Sequence, residues 1–183
     1  GLTDEEDIFA PILPSARRRA IWLGINLITA LIASGVISLF QDTIEKVVAL
    51  AVLMPIVASM GGIAGSQTLT LVIRGIALGN ISSANSKSLL IKEILIGLLN
   101  SLLWASVIGV LSSYWFNNYL IGIVIGIAMI ANLGFAALSG VVIPIILKKI
   151  GVDPALAGGV ILTTITDVIG FFSFLALGTF FLL

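Results

Sequence analysis

Five long apolar runs separated by short polar segments divide the chain: Ala20 to Phe40, Val47 to Ile73, Ile94 to Phe116, Leu120 to Leu147 and Ala155 to Leu183. A helix needs about 20 apolar residues to cross a hydrocarbon core of about 30 Å, and each run is long enough. The pattern predicts an all-α protein with five transmembrane helices, spread over residues 17–183. Residues 1–16 carry Asp4, Glu5, Glu6, Asp7 and two prolines. They form a polar lead-in, or a short amphipathic helix. The first apolar run follows Arg17, Arg18 and Arg19 with no small-residue cleavage site leading to a mature soluble domain, so it reads as a retained helix rather than a signal peptide.

Composition agrees with the pattern. With 59% hydrophobic and 10% charged residues and a mean hydropathy of +1.23, there is too little polar surface to cover a soluble globule. The expected location is the cell membrane, crossed several times. Basic residues give the orientation, because Lys and Arg in short loops favour the cytoplasmic side. Of nine Lys and Arg residues, all but Lys46 fall at one end: Arg17 to Arg19, then Arg74, Lys87 and Lys92, then Lys148 and Lys149. The N-terminus is therefore expected inside and the C-terminus outside. A net charge of zero and the lack of any nucleic-acid-binding motif argue against a nucleic-acid partner.

Cysteine and histidine are both absent, which removes disulfides, thiolate chemistry, imidazole bases and the usual zinc and copper ligands. Serine catalysis would lack its histidine, no HExxH exists for a zinc protease, and intramembrane aspartyl proteolysis would need a second membrane carboxylate. The chain is not expected to be an enzyme.

Two spans carry unusual residues. In the second, Pro55, Gly61, Gly62 and Gly65 stand where a stable helix avoids them. Broken backbone is tolerated at membrane depth where it packs on protein or lines a wet cavity, so freed carbonyls there are candidates to face a cation. Ser59, Gly62 and Ser66 recur along one face, while Gly61 and Gly65 have the GxxxG spacing that also serves close helix packing. Gly122 and Gly126 in the fourth span read as packing, and Asn132 as interhelical glue.

The fifth span holds Asp167, its sole charge. A charge at the bilayer centre costs roughly 3 kcal/mol on insertion scales, so such residues face a bundle interior or a water-filled path. Thr163, Asp167 and Gly170 share a helix face at i, i+4 and i+7. The alternative is that Asp167 hydrogen-bonds a neighbouring helix or stays protonated. Oxygen-only donors suit a hard divalent cation such as Mg²⁺, Mn²⁺ or Ca²⁺. One carboxylate neutralises half of a divalent charge, and a homodimer with its axis near the fifth span would supply the second.

The segments Pro14 to Ala30, Met54 to Gly79 (MPIVASMGGIAGSQTLTLVIRGIALG), Ile143 to Gly159 (IPIILKKIGVDPALAGG) and Thr163 to Thr179 (TTITDVIGFFSFLALGT) resemble the transmembrane domain of the MgtE family of magnesium channels. The resemblance implies a homodimeric, five-span Mg²⁺ pathway lined by the second and fifth helices, with the required aspartate at Asp167. On that reading the metal-facing candidates are Asp167, Thr163, Thr164, Thr166 and Gly159, and the pore-lining candidates are Ser59, Gly61, Gly62, Gly65, Ser66 and Gly170. The chain departs from many members at Ile63 and from some at Gly159, positions where they carry Asn. It also lacks the regulatory cytosolic domains of such proteins, and its first residue, Gly1, fits a piece of a longer protein or a domain-only relative. A passive channel is the first expectation. A carrier coupled to H⁺ or Na⁺, with Asp167 as the coupling site, is the alternative, and a purely structural membrane subunit is the third.

Overall fold

The structure, a computed structural model, describes residues 11–81 and 85–183. Six helices follow one another: α1 (Ile12–Ser38), α2 (Gln41–Lys46), α3 (Val48–Ala77), α4 (Ser86–Trp115), α5 (Tyr119–Lys149) and α6 (Pro154–Leu182). No strand occurs among the described residues. All but α2 are long and apolar enough to cross a membrane, so the five expected spans are present. Four of these helices run longer than their apolar runs, chiefly at the ends that carry Arg17, Arg74, Lys92 and Lys148, whereas α6 keeps the expected length. The helix α1 begins at Ile12, which makes the last residues of the expected lead-in helical. Residues 1–10 lie outside the described residues.

The central element is α5. Of its apolar segment 56% is buried, against 6% for α1 and 11% for α4, and α3, α4 and α6 all pack against it. The main core joins Leu50, Leu53 and Val57 of α3 to Val124, Ile125, Ala128 and Met129 of α5 and Phe174 and Leu175 of α6. A second cluster, Leu69, Ile143, Leu147, Ala157 and Leu162, holds the same three helices together nearer their basic ends. The helix α1 leans on α6 and, like α4, leaves large apolar side chains such as Leu31 and Leu99 exposed. In a membrane protein those faces meet lipid.

Turn chemistry explains where the helices stop. Gly79 and Gly151 adopt positive φ just past α3 and α5, the left-handed conformation that closes a helix. Asp153 caps α6 by accepting a hydrogen bond from Ala155 N at 2.8 Å, with Pro154 at the first helical position. The Asp-Pro pair thus starts α6. Asn118 caps α5 in the same way through Leu120 N at 2.9 Å.

One expectation fails. The second span is not broken: α3 runs continuously for 30 residues with Pro55 inside it. In hydrocarbon each unsatisfied backbone group costs several kcal/mol, far more than the helix penalty of about 1 kcal/mol for a glycine. The ladder therefore persists through Gly61, Gly62 and Gly65, and no carbonyl is freed at those glycines; Pro55, which has no N–H, leaves Ala51 O without its helical donor.

Candidate ion pathway

Helices α3 and α6 pack directly against each other, and an open groove of about 750 Å³ runs beside their contact. Its walls are Ala58, Ser59, Gly62, Ile63, Ser66, Gln67 and Thr70 of α3 with Thr163 and Asp167 of α6. Continuous α-helical geometry divides α3 into two faces. Ser59, Gly62, Ser66 and Thr70 repeat at steps of three and four and form the groove face, whereas Leu53, Val57, Gly61, Gly65, Thr68 and Val72 form the buried face. Ser59, Ser66, Gln67 and Thr70 are exposed on this chain, so a polar stripe lies open along an otherwise apolar bundle.

Asp167 is half-buried on the groove wall. Its carboxylate makes no hydrogen bond or ion pair among the described residues. Four residues earlier, Thr163 donates its hydroxyl proton within its own helix, to Gly159 O at 3.0 Å and Val160 O at 3.1 Å. With the proton so used, the oxygen keeps its lone pairs for the groove. The pair thus presents acceptors only, the donor set of a hard cation or of its bound water. Among the described residues no three acidic side chains come together to form a metal cluster. One chain therefore offers an ion in this groove a single carboxylate.

The other candidates separate by face. Thr164 turns its hydroxyl to Val160 O at 2.7 Å, and Thr166 is buried, donating to Leu162 O and Thr163 O. Neither lines the groove, nor does Gly159. Gly61, Gly65 and Gly170 are buried inside the bundle rather than on the groove. A Cβ on Gly65 would stand 2.8 Å from Leu162 Cδ1. Gly61 and Gly170 both face Asn132 of α5: a Cβ on Gly170 would lie 2.7 Å from Asn132 Nδ2, and one on Gly61 would collide with the same nitrogen. Asn132 is fully buried and donates to Val57 O at 2.8 Å. The glue expected of Asn132 is real, and it sits directly behind the groove, between the two helices that form it. Only Ser59, Gly62, Ser66, Thr163 and Asp167 of the candidates line the groove.

Two lining residues escaped the sequence reading, Gln67 and Thr70, whereas Ile63 was singled out there for its departure from the family. Extending the stripe one turn beyond Ser66 would have found Thr70. Also missed was Glu93, near the start of α4. It is 7% exposed and accepts a hydrogen bond from Thr68 Oγ1 at 3.2 Å, which ties α4 to the buried face of α3. Glu93 lies away from the groove and supplies it no ligand.

Known proteins resemble this chain over most of its length. The chain is 34% identical over 168 residues to the magnesium transporter MgtE of Bacillus subtilis, covering 92% of this chain and 37% of that protein. It is 32% identical over 158 residues to the magnesium transporter MgtE of Thermus thermophilus, with 86% of this chain and 35% of the relative covered. For the Enterococcus faecalis magnesium transporter MgtE the identity is 30% over 164 residues, covering 90% and 36%. The chain thus spans about a third of the length of these relatives. The family model for MgtE, described as a divalent cation transporter, matches residues 54–177. That segment runs from early in α3 through most of α6 and includes every residue of the groove, so the chain belongs to the MgtE family of divalent cation transporters.

Proposed function

We propose that this chain carries Mg²⁺ across the cell membrane as a homodimer, along a pathway made by the α3–α6 grooves of two copies. The observation that carries this reading is the groove itself: Asp167, free of any partner among the described residues, stands with Thr163 across from the Ser59, Gly62 and Ser66 stripe. A polar stripe left facing lipid is costly. A second copy placed groove to groove covers it and brings a second Asp167, so that two carboxylates balance one divalent ion. Mg²⁺ gives up its water reluctantly, so Asp167 and Thr163 hold the ion through its water shell and select partly by hydrated size. Two charges moving inward across about 100 mV gain about 4.6 kcal/mol, enough for uptake without a coupled ion. The Lys and Arg bias puts the basic ends of the helices in the cytoplasm. Mg²⁺ is chosen here over Mn²⁺ or Ca²⁺ because the relatives carry the name magnesium transporter.

The test is flux into vesicles that contain only this chain. Mg²⁺ entry driven by its own gradient and by membrane potential, and unchanged by collapsing H⁺ and Na⁺ gradients, is the expected result. Entry that stops when the H⁺ or Na⁺ gradient is collapsed would replace the channel with a coupled carrier. No entry above protein-free vesicles would remove the transport reading of this chain alone.

A further inference from the structure

A second cavity, of about 730 Å³, opens between the end of α3 and the start of α4, on the basic end of the bundle. Its walls include Gln67, Thr70, Leu71 and Arg74 of α3 and Leu89 and Lys92 of α4. Helix packing creates it. The helix α4 packs chiefly against α5, so its N-terminal turns stand away from α3 and leave a lateral opening.

We propose that this cavity binds the phosphate headgroup of an anionic phospholipid, and that the bound lipid sets the charge at one end of the ion groove. Two cations, Arg74 and Lys92, line one cavity with no acidic side chain among its lining residues. A topological bias explains why these loops are basic, but not why the two charges share a cavity with exposed leucines. Leu71 is 51% and Leu78 65% exposed, and both border the cavity. A free phosphate would leave that apolar surface bare, whereas the acyl chains of a lipid cover it while the headgroup meets the cations. The start of a 30-residue helix with no acidic residue in its first turn adds a favourable field for an anion.

The link to transport rests on the proposed function. Gln67 and Thr70 line both the cavity and the groove, and Arg74 lies one turn beyond Thr70. Two positive charges, with no acidic side chain among the described residues that line the cavity, oppose the ion at that end of a cation path. A phosphate held between them removes that opposition.

The experiment has a binding arm and a flux arm. In the first, the detergent-solubilised chain is examined by native mass spectrometry with phosphatidylglycerol, phosphatidylcholine or inorganic phosphate. Phosphatidylglycerol should be retained about tenfold better than phosphatidylcholine. The double variant Arg74→Gln/Lys92→Gln should lose most of that preference, while Lys148→Gln/Lys149→Gln, the same charge change at another loop, keeps it. Equal retention of the two lipids, equal loss in both variants, or displacement of the lipid by millimolar inorganic phosphate would overturn the lipid site. In the flux arm, Mg²⁺ entry should be several-fold faster in phosphatidylglycerol vesicles than in phosphatidylcholine, and the Arg74/Lys92 variant should be indifferent to lipid. Wild-type flux that is equal in both lipids overturns the link to transport. Absence of any wild-type flux, with lipid preference intact, would instead count against the transport reading and leave the site standing.

Discussion

Among single residues, the two aspartates of the α5–α6 region divide cleanly by geometry. Asp153 caps α6 in the exposed turn at the basic end, while Asp167 faces the groove. Asp153→Ala should therefore destabilise the protein by about 1 kcal/mol, the usual value of a lost N-cap, with Mg²⁺ flux per folded molecule unchanged. Thermal unfolding in detergent alongside vesicle flux checks this, and a flux loss without a stability loss would contradict it. The cap was legible in the sequence, since an Asp-Pro pair signals a helix start, and so was the place of Asp167 on a groove wall, since an isolated intramembrane charge seldom faces lipid. The threonines were less legible. Thr163 shares the face of Asp167 at a spacing of four, but Thr164 and Thr166 are rotated away by a step of about 100° per residue, and both spend their hydroxyls on their own helix.

Among elements, span number and position followed directly from hydrophobic length, because the bilayer imposes it. What sequence did not convey was the fate of α3. Its glycines looked like breaks, yet the low-polarity surroundings keep the helix whole, and Gly61 and Gly65 serve instead as contact points. Which face each glycine took was equally hidden, since the neighbour Asn132 comes from a helix about 70 residues further along. The short helix α2, six residues with no apolar periodicity, offered no signal either. The two adjacent glycines make a sharp test. Gly61→Ala gains about 1 kcal/mol of helix propensity but drives a methyl into Asn132, whose amide is fixed by its bond to Val57 O. Overpacking typically costs about 1–3 kcal/mol, so the net effect should be loss of thermal stability. Gly62→Ala meets nothing within 4 Å and should leave stability equal or higher, its effect confined to the groove. Equal stability changes in the two variants would refute the assignment of faces.

For the whole molecule, the basic residues gather at one end of the bundle and the α3–α6 groove of a single copy holds one carboxylate. The chain lacks cysteine, so single introduced thiols report without background. A cysteine at Lys148 should be protected from an impermeant reagent added outside intact cells, and one at Asn117, at the opposite end of α5, should react. The reverse pattern would invert the topology. A cysteine at Ser59 or Ser66, on the groove face, should form a crosslinked two-chain species, because the proposed partner lies there; a fully monomeric and still conducting protein would contradict the dimer. The central claim is that Asp167 carries the ion. Its most direct measurement is Mg²⁺ flux through Asp167→Asn in vesicles, compared with wild type at equal amounts of folded protein. Asparagine keeps the size and the hydrogen-bonding capacity but removes the charge, so flux should fall at least about tenfold, with weakened competition by Ca²⁺ and Mn²⁺. Flux equal to wild type with unchanged competition would contradict the account, and the α3–α6 groove would then be a packing surface rather than a pathway.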